Sequence, residues 1–322
     1  MSNEKIQDKY LPFTWEELLS HFAPVGRECK ANVKQLDYYK RSVKNYASQY
    51  RGKSYTILGK PLRETSRPYQ IQKDERFWTA NTLMNIFNSQ NRVNELCLLF
   101  EKAFGEKVLT SIKIDNWKEC FNSDNLKLYF EVDLPSPKKY KEDLCSLYEK
   151  EKIEEHQIIP FIIASAHGKK KLEGSTQVDA LIVNPDNRFN VLIEAKVLSD
   201  ISIGITYDVV RNQIARNIDV MLESNKKKLC DFLEKRDPKK SLFLLLTPKL
   251  FKDNPSSRLY GYKIREYQDK NKGVDALERD LLSRTKEELE KIPSRIGWLT
   301  WEDFKAVNNR CSPWLIEENV YL

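Results

Sequence analysis

Histidine is scarce. His21, His156 and His167 are the only three in 322 residues, and they stand far apart with no metal spacing. The six cysteines, Cys29, Cys97, Cys120, Cys145, Cys230 and Cys311, are scattered, and no two form a C-x-x-C pair. Zinc centres draw on paired Cys or His ligands at short spacing, and this chain lacks the material for one. The cysteines are expected to be reduced thiols, mostly in the core. No apolar run approaches the roughly 20 residues needed to span a bilayer. The opening "MSNEKIQDKY" is polar and lacks the apolar stretch of a secretory signal. The expected compartment is therefore the cytoplasm, with no membrane partner. Two further motifs are missing. There is no G-x-S-x-G, and Gly52-Lys53-Ser54 falls short of a phosphate loop because Ala47 stands where its first glycine belongs.

Hydrophobic residues make up 40% and charged residues 31%, as in a globular chain rather than a disordered one. The length suits one large domain, or a domain with an extension. A formal charge of +7 permits a polyanionic partner without demanding one. Its distribution is uneven. From Arg27 to Lys60 the basic residues Arg27, Lys30, Lys34, Lys40, Arg41, Lys44, Arg51, Lys53 and Lys60 meet only Glu28 and Asp37 in opposition. Tyr38, Tyr39, Tyr46, Tyr50 and Tyr55 are interleaved. Such a stretch suits phosphate contacts combined with base or sugar packing, and Lys40, Arg41, Lys44, Arg51 and Lys53 are the candidate contacts. A solvated basic helix with its tyrosines turned inward would use the same residues. "SAHGKKKLEGS" reads as a basic loop, in which Lys169 and Lys170 are further candidates, although a charge run is commonly just solvated.

Periodicity organises the rest. Thr14 and Glu17 form a capping box at the start of a helix, and residues 65–75 read as a linker or exposed loop. A helix is predicted from about Thr79 to Phe104, with Asn88 to Asn91 as a potential break. Residues 126–135 alternate as a half-buried strand with Leu128, Phe130, Val132 and Leu134 on one face. "DLCSLYEKEKIEEH" reads as a charged helix, "IIPFIIASA" as a strand and "YDVVRNQIARNIDVMLESNKK" as an amphipathic helix. "SLFLLLTP" has the continuous apolar run of a strand buried on both faces. "GVDALERDLLSRTKEELEKI" reads as one helix. "RIGWLTWEDF" reads as a short strand entering a second capping box, Thr300 with Asp303. Alternating strands and helices argue for an α/β fold, a mixed central sheet flanked by helices. It is preceded by a helical, basic N-terminal region at 1–78, with the main domain at 79–322.

The chemistry concentrates in "QVDALIVNPDNRFNVLIEAKV", from Gln177 to Val197. Asn184 to Arg188 is a turn signal. A hairpin with paired positions summing to 373 puts Val178 opposite Ala195, Ala180 opposite Ile193 and Ile182 opposite Val191, all apolar and on one side. The other side carries Leu181 with Leu192, Asp179 with Glu194 and Gln177 with Lys196. Alternation thus brings Asp179, Glu194 and Lys196 to one face. Two neighbouring carboxylates repel, and burial penalises both. A hard divalent cation relieves that cost, and a lysine beside it can orient water or stabilise charge on a phosphate. A salt-bridged patch at a sheet edge is the alternative.

Asp179, the "IEAK" of 193–196 and the following helix bearing Gln213 resemble the PD-(D/E)xK nuclease superfamily, the restriction-endonuclease-like enzymes. Val178 stands where the family's proline would precede the aspartate. The resemblance implies an α/β core whose central sheet carries the site. It implies Mg²⁺, for which Mn²⁺ can substitute, held by Asp179 and Glu194 with the Ala195 carbonyl as a third ligand. Lys196 would serve the attacking water, and Gln213 would lie near the metal or the DNA, with Arg216 beside it. It implies an additional acid on the helix preceding the sheet. Glu95 is the first candidate and Glu101 the second, and Glu131 and Asp133 on an earlier strand are further candidates. The activity implied is DNA endonuclease cleavage leaving a 5′-phosphate, of the restriction or phage-defence type. Its partners would be DNA and a second copy of the chain or a larger oligomer, with defence-system proteins as further partners. A catalytically inactive nucleic-acid-binding or assembly subunit is the competing reading.

Overall fold

The computed structural model describes residues 10–25, 29–49, 56–57, 60–61, 70–150, 174–202, 211–224, 233 and 235–315. Five strands form one sheet in chain order: β1 (Lys127–Leu134), β2 (Thr176–Val183), β3 (Asn190–Ala195), β4 (Ser241–Thr247) and β5 (Ile296–Thr300). β1, β2 and β3 run antiparallel, and β3, β4 and β5 run parallel. A mixed sheet flanked by helices is therefore present.

Helices cover both faces. One face holds α1 (Trp15–Ser20), α2 (Val33–Gln49), α3 (Glu75–Phe87) and α4 (Arg92–Phe104), with the C-terminal α8 (Trp301–Val307). Their Leu18, Tyr39, Phe77, Leu83, Leu99 and Trp301 pack on Ala180, Ile182, Val191, Ile193 and Leu244. The opposite face holds α5 (Gln213–Met221), α6 (Leu259–Gln268) and α7 (Gly273–Asp280), whose Ile214, Ile218, Ile264 and Leu277 meet Leu181, Leu192, Phe243 and Leu245. Every residue of β4 is buried, as its unbroken apolar run requires of a strand with neighbours on both edges and helices on both faces. Each of its leucines and its phenylalanine contributes about 1.5–3 kcal/mol through burial. Gly297 lets α4 come close to β5: a Cβ there would lie 2.4 Å from Phe104 Cζ.

The hairpin register is the expected one over the part that pairs. Ala180 faces Ile193, Leu181 faces Leu192, Ile182 faces Val191 and Val183 faces Asn190. The pairing ends there. Asp179 Oδ2 accepts a hydrogen bond from the Ala195 N–H at 2.7 Å, so a side chain takes the place of the next ladder partner.

Single-face alternation fails at the same level. Leu128 and Phe130 join the first core, whereas Val132 and Leu134 join the second. Val178 likewise belongs to the second core, not to the side of Ala180 and Ala195. The cause is local. Glu131 has φ of 54°, and the β1–β2 ladder skips Glu131 and Asp179 while keeping its register on either side. A left-handed residue turns the chain that follows it, so faces exchange across this level.

Several boundaries also differ from expectation. The helix predicted for 79–104 is two helices, α3 and α4, broken at Asn88 to Asn91, and α3 begins earlier, behind an Asp74 cap. The helix predicted for 273–292 divides into α7 and a short helix at Lys286–Leu289, started by a capping box of Thr285 with Glu288. Gln70–Lys73 is a helical turn rather than linker. Residues 56–57 pair with 60–61 as a two-residue ladder. The capping boxes at Thr14 and Thr300 form as expected. The strand expected at 158–166 lies outside the described residues. Packing is continuous across residue 78: Tyr10, Leu18, Phe22, Tyr39 and Val43 share one core with Phe77 and Phe130. Cys29 is disulfide-bonded, not a reduced thiol as expected. Cys97, Cys120 and Cys311 are free, the last two fully buried. Among the described residues no helix is long and apolar enough to cross a membrane.

Candidate active site

Glu194 lies at the end of β3, where the parallel strands run out and the hairpin has stopped pairing. It is 2% exposed, so an unsatisfied carboxylate would cost several kcal/mol there. Three donors satisfy it. Lys196 Nζ forms an ion pair with Oε1. Gln213 Nε2 donates to Oε1 at 2.6 Å, and Asn217 Nδ2 donates to Oε2 at 2.8 Å. Gln213 and Asn217 are four residues apart on α5 and so present their amides from one helix face. Asn212 fixes the start of that helix by accepting from the Ile214 and Ala215 N–H groups at 3.0 and 3.1 Å.

Lys196 is 7% exposed. Burial opposes its charge, but Glu194 and Asp179 outweigh that and hold its proton more tightly than water does. Its carbonyl accepts from Trp301 Nε1 at 3.0 Å, which anchors the strand end to α8. Asp179 is half-buried. Burial, then the charge of Glu194, raise its carboxyl well above the usual range, against the opposing pull of Lys196 and the Ala195 N–H. Glu131, only 5% exposed, reaches the same region from β1. Burial lifts its carboxyl to about 7 even though Arg76 pulls the other way, with Asp74, Asp133 and Glu194 adding to the rise. Arg76 Nε pairs with Glu131 Oε1 at 3.2 Å. Asp133, by contrast, is exposed.

The helix acid is not where it was expected. Glu95 accepts from Ser89 Oγ at 2.7 Å and from Asn308 Nδ2 at 3.3 Å, and these contacts hold α4 to the chain after α8, not to the site. Glu101 is an exposed residue of the same helix. Glu75 is the acid on the preceding helix that reaches the site. Its Oε1 accepts from the Val197 N–H at 3.3 Å and from Ser199 Oγ at 2.5 Å, directly after Lys196. Its signal in the sequence was Asp74-Glu75, a cap followed by a first-turn acid, which a helix start at Thr79 obscured.

The expected nucleic-acid contacts are distributed elsewhere. Lys40, Arg41 and Lys44 are exposed on α2, while Tyr39 packs in the core and Tyr38 is half-buried. Both tyrosines therefore turn inward. Arg216 is half-buried on α5 and is not among the groups that hold Glu194. Arg51, Lys53, Lys169 and Lys170 lie outside the described residues.

Among the described residues no three His, Cys, Asp or Glu side chains gather as a metal-holding group. Mg²⁺ needs fewer: one or two carboxylates suffice when water and substrate phosphate oxygens complete its shell. Asp179 and Glu194 supply two carboxylates, which meets that need. Among the described residues Asn217 Oδ1, whose amide nitrogen holds Glu194, is buried without a hydrogen-bond partner, leaving an acceptor at this site that no donor answers. A hard cation takes carboxylate and amide oxygens of this kind, and the residues fit it. Compared with protein-family models, with curated proteins and with solved structures, the chain matches none.

Proposed function

We propose that this chain is a Mg²⁺-dependent endonuclease of restriction-endonuclease-like fold that hydrolyses phosphodiester bonds in DNA. The observation that carries this reading is the convergence of Asp179, Glu194, Lys196 and Gln213 at the open end of the sheet. A structural ion pair needs one acid and one base. Here a half-buried second acid with a raised pKa faces the pair, and two amides are spent on orienting Glu194. Such charge crowding stabilises little by itself and is the usual mark of a site built for a ligand.

Asp179, Glu194 and the Ala195 carbonyl would hold the metal, which when bound supplies Lewis-acid stabilisation of the phosphate oxygens. The remaining roles fall to the chain itself. Lys196, ion-paired with Glu194, acts as a hydrogen-bond donor that orients the attacking water and offsets charge on the phosphate. Gln213 and Asn217 restrain Glu194 in one rotamer. Glu75 fixes the turn after Lys196 and fills the place of the acid on the preceding helix. Water attacks phosphorus in line and the 3′ oxygen leaves, giving a 5′-phosphate. One site per chain calls for a dimer to cut both strands of a duplex.

Incubation with supercoiled plasmid, single-stranded DNA and RNA, each with and without Mg²⁺, tests this. Plasmid nicking or linearisation that appears with Mg²⁺ and stops with EDTA is expected. Binding that ignores EDTA, with no cleavage in any metal, would instead identify a nucleic-acid-binding subunit.

A further inference from the structure

Arg76 follows Glu75 in the first turn of α3 and is held unusually well for a residue at a helix start. Its guanidinium lies over the Tyr38 ring at 4.4 Å. Its carbonyl accepts from Tyr39 Oη at 3.0 Å, and its N–H donates to the Asp74 cap at 3.1 Å. Asp74 in turn accepts from Tyr38 Oη. Two tyrosines of the basic helix α2 thus fix the plane and backbone of one arginine beside the candidate active site.

What the guanidinium does with its nitrogens is informative. An arginine whose task is to neutralise a buried acid favours a two-nitrogen fork on the carboxylate. Arg76 meets Glu131 through Nε, at 3.2 Å. Among the described residues Nη1 and Nη2 make no hydrogen bond or ion pair, and about a third of the side-chain surface, 33%, is open to solvent. The edge suited to a bidentate oxyanion is thus left without a partner among the described residues. Glu131, paired with this arginine, also interacts electrostatically with Glu194 and Asp179.

We infer that Arg76 binds a backbone phosphate of the substrate strand next to the one cleaved, through its Nη1–Nη2 edge. This rests on the nuclease reading. Stacking on Tyr38 pre-orients the fork, so little side-chain freedom is lost on binding. The role of α2 then has two parts: Lys40, Arg41 and Lys44 add diffuse positive charge outside, and Tyr38 and Tyr39 set the one arginine that touches the strand near the site.

Fluorescence anisotropy of the full chain with a labelled DNA duplex, and with the single strand, tests this. A Lys196→Ala background, in Mg²⁺, keeps the probe intact over about 50 to 200 mM salt. Relative to Glu131→Gln alone, Arg76→Ala combined with Glu131→Gln is expected to bind about tenfold more weakly. The slope of log affinity against log salt should fall by about 0.9 on duplex, or about 0.7 on single strand. An unchanged slope would overturn the assignment. Should that double variant not fold, Arg76→Lys decides: it keeps the charge but loses the fork, so affinity should drop several-fold at constant slope, and unaltered affinity would overturn the inference. A parent that binds neither probe brings down the nuclease reading itself. Binding that is indifferent to Arg76 removes only this contact.

Discussion

At the scale of single residues, the site is a problem in charge placement. Glu194 is nearly inaccessible and fully hydrogen-bonded, whereas Asp179 and Glu131 carry protons far more readily than free carboxylates. Glu131 offers a clean test because its pKa moves from an ordinary 4.5 to about 7. A carboxyl whose pKa is higher in the folded state binds the extra proton there. Its contribution to stability is full below the unfolded value and is lost as pH rises through the folded value. Urea unfolding in EDTA should therefore show the wild type losing stability relative to Glu131→Gln between about pH 4.5 and pH 7. The change in their difference should be on the order of 2 kcal/mol. A difference that stays flat with pH would mean that Glu131 is not buried as an acid.

At the scale of elements, α5 carries the two amides that hold Glu194, and its start is tied down from behind. Asn212 caps it and also donates to Tyr267 Oη at 2.7 Å, and Tyr267 donates to the buried Asp280 at 2.5 Å. Asn212→Ala should cost about 1 kcal/mol of stability through the lost cap. It should also lower cleavage by more than that stability loss explains, because Gln213 and Asn217 would no longer be set. Rates measured well below the melting midpoint separate the two effects, and activity equal to wild type would exclude the positioning role. The same elements mark what could be read in advance. The register of β2 on β3, the burial of β4 and the capping boxes at Thr14 and Thr300 follow from alternation, continuous apolarity and local cap chemistry. The exchange of faces at Glu131 did not, because a glutamate gives no local reason for a left-handed φ. Nor did the division of residues 273–292, although Thr285 and Glu288 spell a capping box within a pattern that otherwise looks continuously helical. Glu75 was missed because the fate of an acid at a helix end depends on where the helix begins.

At the scale of the whole molecule, one sheet with helices on both faces brings residues from distant parts of the chain to one end. α3 supplies Glu75 and Arg76, β1 supplies Glu131, the hairpin supplies Asp179, Glu194 and Lys196, and α5 supplies Gln213 and Asn217. The N-terminal helices are part of the same core and furnish the tyrosines behind Arg76. The proposed cleavage requires these groups to act together on a phosphodiester. The most direct measurement is the rate of plasmid cleavage in Mg²⁺ by wild type, Asp179→Asn, Glu194→Gln and Lys196→Ala, each verified as folded by circular dichroism. Each substitution is expected to lower the rate by about 10²–10⁴-fold. Full Mg²⁺-dependent cleavage by folded Glu194→Gln and Lys196→Ala would contradict that requirement.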